Sequence, residues 1–174
     1  RLDLPGSSVT IERTVTSSDL STDLPDFSAV LPSNTAVSYA VTLADAVTDN
    51  TLNLSYIKAR VEGDIGADLV TLVIGDGITT IAQDTFKDTE LTSVTIGSSV
   101  TSIAAGAFQN APLTSLTLGS SVTPGNIDAS SFTGTRLDLP GSSVTIERTV
   151  TSDVSSANTT ELEDFSYVLP SGTA

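Results

Sequence analysis

The residues that could carry out chemistry in this chain are hydroxyls and carboxylates, because its 174 residues include no cysteine and no histidine. A serine nucleophile usually depends on a neighbouring base, most often histidine. One Ser-x-x-Lys pair is present, Ser55 with Lys58, but it lies in a predicted strand, where residues three apart point to opposite faces. The serines therefore have no predicted catalytic partner.

Two pairs of carboxylates, Asp64 with Asp68 and Asp84 with Asp88, could in principle act as acid and base. General acid–base catalysis requires both groups to be held at a suitable separation, and no predicted helix holds either pair in this way. We expect these acids to be solvated loop residues. The sequence therefore predicts that the protein is not an enzyme.

Calcium binding is a separate hypothesis for the acidic loops. Two groups of acids are close in sequence: Asp19, Asp23 and Asp26, and later Asp153, Glu161, Glu163 and Asp164. Such oxygen ligands suit Ca²⁺, but neither the spacing of an EF-hand nor a Gly-Gly-x-Gly-x-Asp repeat is present. We predict no cofactor and no metal centre, and we leave calcium open at these loops.

Four hydroxyl residues recur at a constant spacing and form a candidate binding face. Ser93 with Thr95 is followed 22 residues later by Ser115 with Thr117. In predicted strands they share one face, which could contact a sugar or ordered water. The alternative is that hydroxyl and β-branched residues merely suit an exposed strand surface.

A repeated element must position these side chains. Three segments in register begin at Leu69, Leu91 and Leu113, which are 22 residues apart. In each, apolar residues alternate with hydroxyl residues in a short strand, a glycine follows, and a phenylalanine ends the unit. One such unit cannot bury its own apolar row, so the units must stack into a solenoid.

The pattern L-x-x-L/V/I-x-I/L-G-x-x-V/I-T-x-I-x-x-x-A/T/S-F resembles the BspA-like leucine-rich repeat of bacterial surface antigens over residues 69–146. The resemblance implies strands with irregular or short helical returns. Two features depart from the family pattern. The third unit has two extra residues before its phenylalanine, which predicts a bulge around Pro124 and Gly125. The family's frequent cysteine is absent, and Asp88 and Asn110 lie near that place.

A longer duplication is also present. Residues 1–17 recur unchanged as residues 136–152, and residues 26–36 recur with two differences as residues 164–174. Aligning Leu137 and Leu139 with Leu116 and Leu118 predicts a fourth, terminal turn of the solenoid. By the same alignment, residues 1–11 are the last turn of a preceding array.

These patterns predict a mainly β protein built of tandem modules in four parts. Residues 1–13 form the terminal solenoid turn of a preceding module, and residues 14–68 form a strand-rich subdomain with strands near 37–43 and 52–56. Residues 69–148 form the leucine-rich-repeat solenoid with its capping turn. Residues 149–174 begin the next strand-rich subdomain.

The charge balance excludes several partners. Seven lysines and arginines against 21 acids give a formal net charge of −14, which repels nucleic acid and anionic membranes. No apolar run approaches the roughly 20 residues that span a bilayer. With the family resemblance, this favours an extracellular or cell-surface location.

The sequence predicts a structural module of a surface stalk, filament or layer that assembles head to tail with copies of itself or adjacent modules. The residues expected at the assembling ends are Arg1, Leu2, Leu4, Val9, Ile11, Val15, Arg136, Phe165, Val168 and Leu169. The alternative is an adhesin that binds a glycan or protein through the face bearing Ser93, Thr95, Ser115 and Thr117.

Overall fold

The computed structural model describes residues 8–15, 36–43, 51–52, 69–148 and 163–173, and within these ranges nearly all regular structure is strand. Six strands form one parallel sheet: β1 (Ser8–Val15), β2 (Ala36–Leu43), β4 (Leu69–Ile74), β6 (Ser93–Ile96), β8 (Ser115–Leu118) and β9 (Ser143–Ile146). A second parallel sheet contains β3 (Thr51–Leu52), β5 (Thr80–Ile81) and β7 (Ser102–Ile103).

The spacing of 22 residues is the register of the larger sheet. Leu72 aligns with Val94 and then with Leu116 across β4, β6 and β8. Between these strands the Thr92 amide donates to the Val70 carbonyl at 3.0 Å, and the Thr114 amide donates to the Thr92 carbonyl at 2.9 Å. The backbone amides of each repeat therefore donate hydrogen bonds to carbonyls of the preceding repeat at equivalent positions, as the periodicity predicted.

The core is a column of apolar side chains shared by consecutive repeats. Alternation along each strand buries one residue in two, and the return segments add their own apolar residues. The buried rows are Leu72, Val94 and Leu116; Ile74, Ile96 and Leu118; and Ile78, Val100 and Val122. This arrangement confirms the burial predicted for the leucine-rich positions.

The phenylalanines that end each unit form a continuous stack. The rings of Phe86 and Phe108 have centroids 5.2 Å apart, and those of Phe108 and Phe132 lie 5.4 Å apart with an interplanar angle of 2°. All three side chains are fully buried. A small residue precedes each ring, and the hydroxyls of Thr85 and Ser131 at this position donate to backbone carbonyls within the core.

The two extra residues of the third unit are absorbed in a short 3₁₀ turn, Pro124–Asn126. Proline suits the start of such a turn because its φ is already fixed near the helical value. Directly after it, Ile127 forms a parallel bridge with Ile103, and Phe132 keeps its place in the stack. The insertion predicted around Pro124 and Gly125 thus leaves the core register intact.

The fourth strand lies elsewhere than the sequence alignment predicted. β9 aligns Val144 with Leu116 and Ile146 with Leu118, so the predicted matches of Leu137 and Leu139 to those positions were wrong. Leu137 is buried ahead of the strand, whereas Leu139 is 49% exposed.

Two tight turns displace the strand. The Leu139 amide donates to the Arg136 carbonyl at 3.2 Å, and the Ser142 amide donates to the Leu139 carbonyl at 3.1 Å. Pro140 has no amide hydrogen to donate to a neighbouring strand, and Gly141 has a φ of 90°, which favours glycine. These residues therefore form a loop before β9 begins.

The first strands continue the same sheet. β1 pairs with β2 along its whole length, and β2 pairs with β4, which confirms a strand at residues 37–43. The predicted boundary between residues 13 and 14 falls inside β1. Only residues 51–52 are described of the region around the second predicted strand, and most of residues 14–68 lie outside the described residues, so the division into domains stays a prediction.

Candidate functional site

The hydroxyl face is in register across two strands, β6 and β8. Ser93 aligns with Ser115 and Thr95 aligns with Thr117, and all four side chains are partly exposed on the side of the sheet away from the core. Neighbouring strands lie about 4.8 Å apart, and residues two apart in a strand are about 7 Å apart. The face therefore presents a near-rectangular array of groups that can both donate and accept hydrogen bonds.

The array extends further than the sequence indicated. In β9, Ser143 aligns with Ser115 and Thr145 aligns with Thr117, and both are exposed. Asp138, which the sequence alignment placed in this row, lies instead in the loop before the strand. Sequence reasoning missed Ser143 and Thr145 because the alignment of the fourth turn was displaced.

Arg148 holds together the end of the described structure that lies beyond β9. Its Nη2 atom lies 3.1 Å from Glu163 Oε2 and donates to the Val122 carbonyl, also at 3.1 Å. Its Nη1 atom donates to its neighbour's carbonyl, and the guanidinium lies 5.0 Å from the centroid of the Phe165 ring. A cation over an aromatic face is attracted by the ring's negative charge density, so Arg148 fastens residues 163–173 to the third repeat.

Arg148 was not singled out from the sequence. One signal could have found it: the chain has only seven lysines and arginines, and Arg148 is the duplicate of Arg13. A cation that is one of so few in an acidic chain favours a defined acidic partner.

Three predicted assembly residues lie on the segment that Arg148 fastens. Phe165 and Val168 are 5% and 2% exposed and belong to the core of their own chain. Leu169 is half-buried and packs against the same core. Phe165 and Val168 thus stabilise this end of the protein, whereas Leu169 reaches its surface.

An apolar hollow of about 470 Å³ lies between β9 and this segment. Its walls include Val144 and Ile146 from β9 and Phe165, Leu169 and Pro170 from the segment. Ile146 is 36% exposed. β9 pairs only with β8 among the described strands, so the hollow adjoins the outer edge of the larger sheet.

Four of the remaining predicted assembly residues lie within the described ranges. Val9 is half-buried in β1, where Ile11 and Val15 align with Tyr39 and Leu43 of β2. Arg136 is exposed, and its amide donates to the Leu113 carbonyl at 3.0 Å. Arg1, Leu2 and Leu4 lie outside the described residues. β1 and β9 lie at opposite edges of one sheet, and assembly through them stays a prediction.

The acidic residues within the described ranges form no cluster of three that could hold a metal ion. At Asp164 the Ser166 hydroxyl and amide donate to the carboxylate and lower its pKa. At Asp128 the corresponding bonds from Ser130 lower the pKa of the carboxyl. The other predicted calcium ligands, Asp19, Asp23, Asp26, Asp153 and Glu161, lie outside the described residues.

Asp84 and Asp88 have positions in turns. Both adopt left-handed backbone conformations, with φ values of 55° and 58°. Asn110 follows Asp88 by one repeat and also has a positive φ. Its side-chain Nδ2 donates to Asp88 Oδ1 at 2.8 Å. This hydrogen bond joins neighbouring repeats where the family often has cysteine. Ser55, Lys58, Asp64 and Asp68 lie outside the described residues.

Parallel strands at a spacing of 22 residues, a shared apolar column and a phenylalanine stack define a repeat protein of the leucine-rich class. The family described as "BspA type Leucine rich repeat region (6 copies)" matches residues 66–167. The match covers more than half of the chain, so the protein belongs to this family. The resemblance predicted over residues 69–146 is confirmed and extends further at both ends.

Repeats of this type typically occur in surface proteins. No curated protein and no solved structure is significantly similar to the chain. Within the described ranges, no helix has the length and apolar character needed to cross a bilayer.

Proposed function

We propose that the protein is a non-catalytic structural module of an extracellular surface stalk, filament or layer, in which the stacked repeats form a solenoid. One observation carries the proposal: the strands at the two edges of the larger sheet, β1 and β9, both begin with the sequence Ser-Val-Thr-Ile. A module whose last strand repeats its first has the same kind of strand at both junctions. Such modules are suited to assemble one after another in a single direction.

The mechanical role follows from the direction of the bonds. In a stack of parallel strands, the hydrogen bonds between strands run along the stacking axis, as do the contacts within the apolar column. The stacked rings of Phe86, Phe108 and Phe132 add a second continuous line of contact. A force along this axis acts on the hydrogen bonds, the apolar contacts and the ring contacts between each pair of neighbouring repeats. A structure that bears load in this way suits a stalk or fibre.

In the proposed assembly, the edge containing β1 docks against residues 136–174 of another copy. The contact is heterologous, because different surfaces meet, so it propagates without closing into a ring. The partners are copies of the module. Nucleic acid and membrane insertion are not expected of a chain with a formal net charge of −14.

Electron microscopy and analytical ultracentrifugation of the full chain over a concentration series test this proposal. We expect linear oligomers that lengthen with concentration. Ile146→Asp should abolish them, because it places a charge on the apolar side of the edge strand β9, whereas Thr117→Asp on the hydroxyl face should not abolish them. A chain that stays monomeric at all concentrations, or forms closed dimers, would contradict the proposal.

The second candidate function is adhesion, and the extended hydroxyl array favours it. Rows of serine and threonine side chains cross β6, β8 and β9 in register, and such an array can hydrogen-bond the hydroxyls of a glycan. A glycan array probed with the full chain tests this role. Thr117→Asp should then abolish binding and Ile146→Asp should preserve it, the reverse of the result expected for assembly.

A further inference from the structure

The outer edge of β9 has backbone groups aimed away from β8. The Ser143 amide donates to the Thr114 carbonyl at 2.8 Å, and the Glu147 amide donates to the Leu118 carbonyl at 2.9 Å. Because amides alternate in direction along a strand, those of Val144 and Ile146 point to the other side. Among the described strands none pairs with that side. Such an edge is a template for a further strand.

The duplicate of β9 shows which strand fits such an edge. Residues 8–15 and 143–150 have the same sequence. In the first copy this strand is β1, and it pairs in parallel with β2, beginning with Ser8 opposite Ala36. Identical strands offer the same backbone and side chains, so the β1–β2 register transfers to β9 with Ser143 in the place of Ser8.

The segment beside β9 carries the same correspondence. Residues 164–174 match residues 26–36, and Ala36 is the first residue of β2. The apolar hollow lies between this segment and β9, with Val144 and Ile146 on one wall. In the transferred register, Val37 and Tyr39 of an incoming strand would stand opposite these two residues. An alternating apolar strand therefore matches both the hydrogen-bonding edge and the apolar wall.

We propose that β9 accepts the β2 strand of a second copy of the module, so that β9 takes the place of β1 in that copy. This inference rests on the proposed structural function and names the strand that forms the junction. Since β9 has the sequence of the first four residues of β1, the exchange keeps the first four residue pairs of the β1–β2 ladder. The hollow is filled by the same strand.

The test uses the full chain with a synthetic peptide of the sequence of residues 34–45, which contains β2, and a shuffled peptide of equal composition. We expect the first peptide to bind. The amide hydrogens of Val144 and Ile146 should then exchange more slowly by NMR. The shuffled peptide should not bind.

Two neighbouring variants form a matched pair. Ile146→Glu places a charge on the wall of the hollow and should weaken peptide binding about tenfold or more, equivalent to about 1.4 kcal/mol. Thr145→Glu places the same charge on the opposite face and should leave binding unchanged. Unaltered amide protection in β6 shows that either variant remains folded.

The inference is overturned if the β2 peptide does not bind, if the shuffled peptide binds as well, or if both variants weaken binding equally. Protection of Val144 and Ile146 in the chain without peptide, at concentrations where sedimentation shows a monomer, would also overturn it. Filaments without peptide binding would retain the proposed function and reject the strand exchange. Peptide binding without oligomers at any concentration would retain the strand site and reject assembly between chains.

Discussion

Gly119 lies against the backbone of the preceding repeat. A Cβ atom at this position would lie 2.5 Å from the Gly97 carbonyl carbon and 2.7 Å from the Ser98 amide nitrogen. A Cβ on Gly97 would in turn lie 2.6 Å from the Ile74 carbonyl oxygen. The glycines that follow β6 and β8 are therefore required for close stacking and not only for a turn.

Gly119→Ala should lower the free energy of unfolding by about 1–3 kcal/mol, because the clash is with backbone that cannot rotate away. Gly125→Ala is the matched control, since nothing lies within 4 Å of its Cβ position. Urea denaturation followed by circular dichroism measures both. Equal effects of the two substitutions would show that the close approach is not what constrains position 119.

At the scale of single residues, hydrogen bonds also lower the pKa of the Asp128 carboxyl group. The Ser130 hydroxyl and amide donate to its carboxylate at 2.6 and 2.9 Å, which holds the pKa of Asp128 below its ordinary value of 3.8. A lowered folded pKa means that the carboxylate stabilises the fold above the unfolded pKa. This contribution is lost as the pH falls through the folded pKa.

Ser130→Ala should therefore raise the pKa of Asp128 towards 3.8, since the hydroxyl donor is the larger cause of the shift. NMR titration of the carboxyl carbon measures this. Ser115→Ala, on the hydroxyl face, should leave the pKa unchanged. If Ser130→Ala left the pKa of Asp128 unaltered, the hydroxyl would not be what lowers it.

At the scale of elements, the phenylalanine stack ties the return segments together as the sheet ties the strands. Phe108 is the middle ring and contacts a ring on each side. Its amide also donates to the Ser131 carbonyl at 2.9 Å, while the Phe86 amide donates to the Ala107 carbonyl at 2.7 Å. Side chains and backbone thus couple neighbouring repeats at the same points.

Phe108→Ala should destabilise the protein by about 3–5 kcal/mol, the cost of removing a fully buried aromatic side chain and leaving a cavity. Tyr167→Ala provides the comparison, because Tyr167 is 59% exposed. Thermal unfolding by calorimetry measures both. A small loss at Phe108 would mean that the neighbouring repeats collapse around the gap or do not depend on one another.

At the scale of the whole molecule, charge opposes the proposed assembly. A formal net charge of −14 makes copies repel one another, and salt screens this repulsion. The junction proposed at β9 is apolar and backbone-mediated, so screening should not weaken it.

Oligomers of the full chain should therefore lengthen as sodium chloride is raised from low to physiological concentration, as measured by sedimentation velocity. They should also lengthen as the pH approaches the sequence pI of about 4.1. Thr117→Asp adds charge away from the junction and should shift the salt dependence without abolishing assembly. Oligomers that dissociate with added salt would indicate a junction held by ion pairs.

The contacts of the fold and of the hydroxyl face could be predicted from the sequence where the contacting residues are separated by one repeat. Leu72, Val94 and Leu116 could be placed in one column because each repeat contacts the next at a constant spacing, so a local pattern implies the long-range contact. The same holds for the phenylalanine stack and for the insertion at Pro124. The hydroxyls of Ser93 and Ser115 followed from the same alternation.

The tertiary structure alone decided what happens where the repeat is interrupted. Sequence similarity aligned Leu137 with Leu116, but the turns around Pro140 delay the strand until Ser143, because a strand residue must have a backbone partner as well as the right side chain. Phe165 folds back into the core, and Arg148 holds it there, through contacts that no periodicity encodes. The sequence by itself therefore determined the stack of repeats. The register of the last strand and the packing of Phe165 against the end of the stack depended on contacts between segments that do not repeat.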